Sequence, residues 1–142
     1  MKKSDVHILV VDDEEDILKS LKTHLELDGY GVDVASSAAE ALDKIRLEKI
    51  HIVLADINMP QMDGIEMLEQ IRKIRGDVIV IMITAYTSLM KVANSRCHGA
   101  TGYVLKPFRD LAELDEVVEM AYKQTLRWGR VIEETIKTKK KF

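Results

Sequence analysis

The chain has 142 residues, 46% of them hydrophobic and 32% charged, with a formal net charge of -3 at pH 7. This length accommodates one domain with a full core, and the composition excludes a disordered chain. The small negative charge excludes a molecule that binds polyanions over its whole surface. The longest apolar run, residues 78–83, is far shorter than the ~20 residues of a membrane span. The single cysteine, Cys97, cannot form an internal disulfide, which is typical of the reducing cytoplasm.

Apolar runs and helical spacings alternate from the N-terminus. A first strand is predicted over residues 6–11, and the acids at 12–16 lead into a helix, because acidic groups favour a first helical turn. A short second strand follows over 32–34. Ser37 and Glu40 have the spacing of a capping box, which predicts that a second helix begins there.

The same alternation continues to about residue 125. Strands are predicted over 52–55, 78–83 and 103–105, and helices over 65–71, 88–98 and from 111 onward. Five strand–helix units in a row indicate a parallel sheet with helices on both faces. The predicted fold is therefore a doubly wound, five-stranded α/β fold with the flavodoxin-like strand order 2-1-3-4-5.

The last predicted helix extends beyond the domain. Its three- and four-residue apolar spacing runs from Leu111 through Trp128 to Ile136, although Gly129 is a point where it could break. We therefore predict a domain over residues 1–125 and a helical extension with a lysine-rich end over 126–142. The extension is too short for a DNA-reading module, so this chain alone should bind no nucleic acid. It needs something to pack on, and a weak homodimer is the expectation.

Polar residues follow the predicted strands at the carboxyl edge of the sheet, where such folds bind ligands: Asp12, Asp13, Asp56, Thr84 and Lys106. Two carboxylates ~5 Å apart repel by roughly 3 kcal/mol at an effective dielectric of ~20, so a cation must offset the cluster. Oxygen ligands indicate Mg²⁺, and the absence of His or Cys after the other strands argues against zinc. Carboxylate, Mg²⁺, lysine and hydroxyl together suit phosphoryl transfer to an aspartate.

Four segments carry a resemblance to a known family. They read Val-Asp-Asp-Glu-Glu at 11–15, Asp-Ile-Asn-Met-Pro-Gln-Met-Asp-Gly at 56–64, Ile-Thr-Ala at 83–85 and Gly-Ala-Thr-Gly-Tyr-Val-Leu-Lys-Pro-Phe at 99–108. Over about residues 5–125 the chain resembles a chemotaxis-type response-regulator receiver domain of two-component signalling. The resemblance implies a phosphorylation-controlled switch rather than an enzyme in the ordinary sense.

The resemblance also implies roles for the residues at the predicted edge. Asp56 is expected to accept a phosphoryl group from a sensor histidine kinase or a phosphotransfer protein. Asp13 is expected to bind Mg²⁺ directly and Asp12 through water, with Asp56 and the backbone carbonyl of Asn58 completing the ligands.

Three further residues have roles that follow from the resemblance. Thr84 and Tyr103 are the expected switch pair, and the Lys106–Pro107 bond is expected to be cis, since cis bonds are largely confined to proline. A receiver of this kind catalyses its own phosphotransfer and dephosphorylation. It is expected in the cytoplasm, away from the membrane, acting on a downstream effector that the sequence does not identify.

Two other classes of function remain open from the residues. A Mg²⁺-dependent phosphohydrolase also forms an aspartyl phosphate, but it usually has a second acid two residues after the nucleophile, where this chain has Asn58. A flavin-binding electron carrier has the same topology, but it requires a phosphate-binding loop after the first strand. Here that loop is the acidic segment 12–16, which repels phosphate unless a metal intervenes.

Overall fold

Strands and helices alternate along the computed structural model, which describes residues 2–56, 59, 64–85, 100, 102–106 and 111–140 and, at 84, 85, 103, 105, 106, 139 and 140, the backbone alone. The strands are β1 (His7–Val11), β2 (Gly31–Ala35), β3 (Ile52–Asp56), β4 (Ile79–Ala85) and β5 (Gly102–Lys106). The helices are α1 (Glu15–Leu27), α2 (Ala38–Leu47), α3 (Gly64–Ile74) and α4 (Ala112–Lys140), and a short 3-10 helix spans Lys3–Asp5. The helix predicted over 88–98 lies outside the described residues.

All described strand pairs are parallel, and the order across the sheet is β2-β1-β3-β4-β5. The predicted α/β class and flavodoxin-like topology are therefore those of the structure. Strands β1 and β3 are neighbours although they are separated along the chain by β2, so a crevice opens between them at the carboxyl edge.

Helices cover both faces of the sheet. On one face, α1 and α4 pack through buried leucines, among them Leu21, Leu25 and Leu114. On the other face, α2 and α3 contribute Ile45 and Leu68 to a second cluster. Strands buried on both faces read as continuous apolar runs, which is why β3 and β4 were visible in the sequence.

The start of α2 differs from the predicted capping box. The Ser37 hydroxyl accepts a hydrogen bond from the Glu40 N–H at 3.2 Å, as expected for the cap. The Glu40 carboxylate does not return to Ser37; it accepts from the backbone N–H and the hydroxyl of Ser36, each at 3.1 Å. A second serine immediately before the cap supplies two donors to one carboxylate oxygen, which replaces the usual reciprocal bond.

Helix α4 extends well beyond residue 125, as the apolar spacing predicted, and it is unbroken. It continues without interruption through Gly129 to Lys140, so the break considered at that glycine does not occur. An added Cβ at Gly129 would meet nothing within 4 Å, which shows that no close contact requires glycine there. Within the described part of the chain, no helix is both long and apolar enough to cross a membrane.

Candidate functional site

The register of the parallel strands determines which residues lie at the same level at the carboxyl edge of the sheet. Val11 lies opposite Ala55, so Asp12 and Asp56 follow at the same level of two neighbouring strands. Asp56 in turn lies opposite Ile83 of β4. Asp56 is therefore the last residue of β3 and not the first residue beyond it, a shift of one position from the prediction.

Three carboxylates converge at this level of the sheet. One oxygen from each of Asp12, Asp13 and Asp56 lies within 4.8 Å of the other two. Asp12 is fully buried and Asp56 is 6% exposed, whereas Asp13 is open to solvent. Like charges this close, two of them away from bulk water, repel strongly unless a cation or a hydrogen-bond donor offsets them.

The backbone fixes the position of Asp12. Its N–H donates to the Ala35 carbonyl at 3.2 Å, which extends the β1–β2 ladder by one residue. Its carboxylate Oδ1 accepts from the Glu14 N–H at 2.9 Å. An aspartate that bonds the backbone two residues on is a common turn element, so Asp12 both lines the crevice and positions the start of α1. The sequence predicted that the acids at 12–16 lead into a helix, but it did not predict the hydrogen bond from the Glu14 N–H.

The other predicted site residues lie on the same edge or outside the described chain. Thr84 is on β4, one residue past the level of Asp56, and Lys106 ends β5 two residues past Val104, which shares that level. Tyr103 is on β5 opposite Met82. Asn58 and Pro107 lie outside the described residues.

Met59 is a residue that the sequence reading did not single out. It is 8% exposed and packs in the cluster between the sheet and the helices α2 and α3. It therefore anchors the segment that follows Asp56 to the core. The same segment also contains Ile57 and Met62, so no feature of the sequence distinguished Met59 in advance.

The cluster of three carboxylates suits a hard divalent cation. Mg²⁺ binds oxygen ligands at about 2.1 Å, so oxygens within 4.8 Å of one another would need only small movements to share one ion or a water bound to it. The donors are carboxylates alone, without His or Cys, which disfavours zinc. Asp12, Asp13 and Asp56 are therefore the described residues that could hold Mg²⁺.

Comparisons with known proteins agree on one family. The sequence model described as the response regulator receiver domain matches residues 8–119. The chain is 31% identical over 137 residues to the transcriptional regulatory protein GlrR of Escherichia coli, covering 93% of this chain and 31% of GlrR. It is 37% identical over 103 residues to the response regulator MprA of Mycolicibacterium vanbaalenii, covering 72% of this chain and 45% of MprA. The chain thus spans less than half the length of these relatives.

Solved structures share the fold over most of this chain. A CheY-like response regulator receiver domain protein from Methanospirillum hungatei superposes with a TM-score of 0.78 at 38% identity, covering 86% of this chain and 98% of that one. The response regulator TrrA from Thermotoga maritima, in complex with Mg²⁺ and BeF, gives a TM-score of 0.73 at 38% identity, covering 82% of this chain and 98% of that one. From its sequence, its topology and these matches, the chain belongs to the response regulator receiver domain family.

Proposed function

We propose that Asp56 takes a phosphoryl group from a sensor histidine kinase or a phosphotransfer protein, in a Mg²⁺-dependent reaction that switches the surface of the domain. The observation that carries this proposal is the convergence of three carboxylate oxygens within 4.8 Å at the carboxyl edge of the sheet. Such a cluster is a poor structural element, because the charges repel, and a good site for a divalent cation and a phosphoryl group.

Each residue has a chemical task in this reaction. An oxygen of the Asp56 carboxylate attacks the phosphorus in line, and the donor imidazole leaves as the P–N bond breaks. Asp12 and Asp13 would hold Mg²⁺ together with Asp56 and the Asn58 carbonyl. When bound, the ion would supply positive charge beside the phosphoryl oxygens. Lys106 supplies a second positive charge from the end of β5.

Acetyl phosphate tests this assignment without a kinase. In the presence of Mg²⁺, the intact chain should gain the mass of one phosphoryl group, and a chelator should suppress the gain. Asp56→Asn should gain none, while Asp16→Asn, an exposed acid in the first turn of α1, should react like the wild type. Equal labelling of Asp56→Asn and the wild type would reject Asp56 as the acceptor.

Thr84 and Tyr103 are proposed to couple the phosphoryl group to the surface. They lie on the adjacent strands β4 and β5, at and near the edge that holds Asp56. A switch needs two states of similar free energy, and a hydroxyl that donates to the phosphoryl group biases one of them. Thr84→Ala should still accept phosphate but show smaller amide shifts in β5 on adding beryllofluoride. Shifts equal to those of the wild type would contradict the coupling role.

The wider assignments are proposals of the same kind. We place the receiver domain at residues 1–125 and a helical extension at 126–142, in a cytoplasmic protein that dephosphorylates itself. GlrR is a transcriptional regulatory protein and the chain covers 31% of it, so a separate effector downstream of this domain is expected. The phosphohydrolase alternative predicts steady release of phosphate from added phosphomonoesters, whereas a receiver should release none.

A further inference from the structure

The face of α4 that packs on the sheet continues past the domain into solvent. Residues seven apart share this face: Leu114 is 0% exposed and Ala121 3%, but Trp128 is 55% exposed. The neighbouring row changes in the same way, from Val118 at 1% to Ile132 at 51%. A helical segment of about fifteen residues is marginal in water on propensity alone, so this apolar face needs a cover.

A cleft of about 690 Å³ lies beside this exposed face. Trp128 and Ile132 line it from α4, and Val78 and Ile79 line it where β4 begins. The charged residues Lys49, Arg72, Asp77 and Glu133 also line it. The cleft therefore lies at the amino end of the sheet, opposite the three carboxylates. Its helical wall continues the apolar row that is buried in the core.

Two opposite charges lie on one side of the helix beside the apolar face. Arg127 and Glu134 are seven residues apart, so they share this side. A second helix that runs in the opposite direction brings Arg127 of each chain to the level of Glu134 of the other. A parallel second helix brings the two copies of Arg127 to one level and the two copies of Glu134 to another, which is unfavourable.

Arg127 lacks a carboxylate partner among the described residues of its own chain. The residues three and four positions away on either side are Lys123, Gln124, Arg130 and Val131, so no carboxylate is in helical reach. Within the described residues, Arg127 forms no salt bridge. A carboxylate supplied by a second copy is therefore a suitable partner.

We propose that residues 126–138 of α4 pack antiparallel against the same segment of a second copy of the chain. In this arrangement Trp128 of each chain enters the cleft of the other and contacts Ile132 of the second copy, and Arg127 faces Glu134 of the second copy. A two-fold pair uses the same surface twice, so every such contact occurs twice. The indole is the anchor, since buried tryptophans dominate the free energy of protein interfaces.

Sedimentation and fluorescence test this dimer on the whole 142-residue chain. Trp128 is the only tryptophan, so its emission reports on this surface alone. As the concentration rises, the emission should move to shorter wavelength over the same range in which sedimentation detects the dimer. Trp128→Ala should raise the dimer dissociation constant about 100-fold or more, because two anchors are lost per dimer.

Charge exchange tests the antiparallel direction. Arg127→Glu and Glu134→Arg should each raise the dissociation constant about tenfold, and the double variant should restore it to near the wild-type value. Circular dichroism of each variant checks that the helix content is unchanged. Three results would overturn the proposal: a monomer at every concentration, a dimer unaffected by Trp128→Ala, or a double variant no better than the single ones.

Discussion

The two ends of the parallel sheet arrange their polar groups in opposite ways. At the amino end, the His51 ring nitrogen Nδ1 accepts a hydrogen bond from the His7 N–H at 3.0 Å, and the two imidazole rings stack with centroids 5.9 Å apart. At the carboxyl end, Asp12, Asp13 and Asp56 bring three like charges together. At the amino end these contacts join the beginnings of β1 and β3, although the His51 Nε2 atom is buried without a hydrogen-bond partner among the described residues. The carboxyl end is the end suited to a ligand.

The backbone at the amino end strengthens this contrast. The His51 N–H donates to the His7 carbonyl and the His51 carbonyl accepts from the Ile79 N–H, each at 3.0 Å, so one residue connects β1, β3 and β4. Substitutions at the amino end should consequently change the free energy of unfolding without affecting phosphoryl acceptance. Substitutions at the carboxyl end should impair phosphoryl acceptance, and they should leave the free energy of unfolding unchanged or raise it.

The largest effect is expected from the apolar row beside His51. Ile52 is fully buried in β3, so Ile52→Ala should lower the free energy of unfolding by about 2–5 kcal/mol, through lost burial and the cavity left behind. Urea unfolding measures this change. Leu47→Ala is the matched control, because Leu47 is 85% exposed and its loss should change stability by less than about 0.5 kcal/mol. Folded Ile52→Ala that no longer accepted phosphate would contradict the separation of the two ends.

A smaller effect of opposite sign is expected at the carboxyl end. In metal-free buffer, Asp13→Asn should raise the melting temperature and stabilise the fold by about 1 kcal/mol, because it removes repulsion that solvent partly screens. Added Mg²⁺ should stabilise the wild type and have much less effect on the variant.

Asp16→Asn serves as the comparison for this prediction. Asp16 lies in the first turn of α1, where a negative charge is favourable, so its neutralisation should slightly lower the melting temperature. If Asp13→Asn also lowered the melting temperature, the charge of Asp13 would be stabilising the folded protein. This result would contradict net repulsion among the three carboxylates.

The smallest effect concerns pH at the amino end. Burial, followed by the charge of Lys49, lowers the pKa of His51 below its usual value. The unfolded chain then binds the proton more readily than the folded protein does. The contribution of neutral His51 to stability is therefore complete above about pH 6.5, and it is lost as the pH falls towards the pKa of His51 in the folded protein. Protonation at Nδ1 also removes the hydrogen bond from His7. The wild type should lose up to about 1 kcal/mol more than His51→Gln between pH 7.5 and 5.5. Urea unfolding measures these free energies. If the wild type and His51→Gln lost the same stability between the two pH values, His51 would not cause the pH dependence.

The sequence contained most of the information about the sheet. Strands β1, β3 and β4 contain continuous runs of apolar residues, and β2 alternates Val32 and Val34 with Asp33. The apolar residues at helical spacing in α2 are all buried: Ala38, Ala41, Leu42 and Ile45. The position of Asp56 was predictable because a charge at the end of an apolar run has no packing explanation. These features depend on residues that are close together in the chain.

What could not be predicted depends on residues that are far apart or on competition between partners. The contact of His7 with His51 spans 44 positions and exists only because β1 and β3 pair. The Glu40 carboxylate accepts hydrogen bonds from Ser36 and not from Ser37. The capping-box motif does not determine which of these adjacent donors is used. Gly129 lowers helix propensity, but the regular spacing around it outweighs the cost of about 1 kcal/mol.

The other proposed assignments depend on phosphorylation at Asp56. After treatment with acetyl phosphate and Mg²⁺, borohydride reduces an aspartyl phosphate to an alcohol, which marks the acceptor permanently. Peptide mass spectrometry should then locate the reduced side chain at Asp56 and at no other acid of the chain. A reduced side chain at Asp12, Asp13 or any other position, with Asp56 intact, would contradict phosphorylation at Asp56.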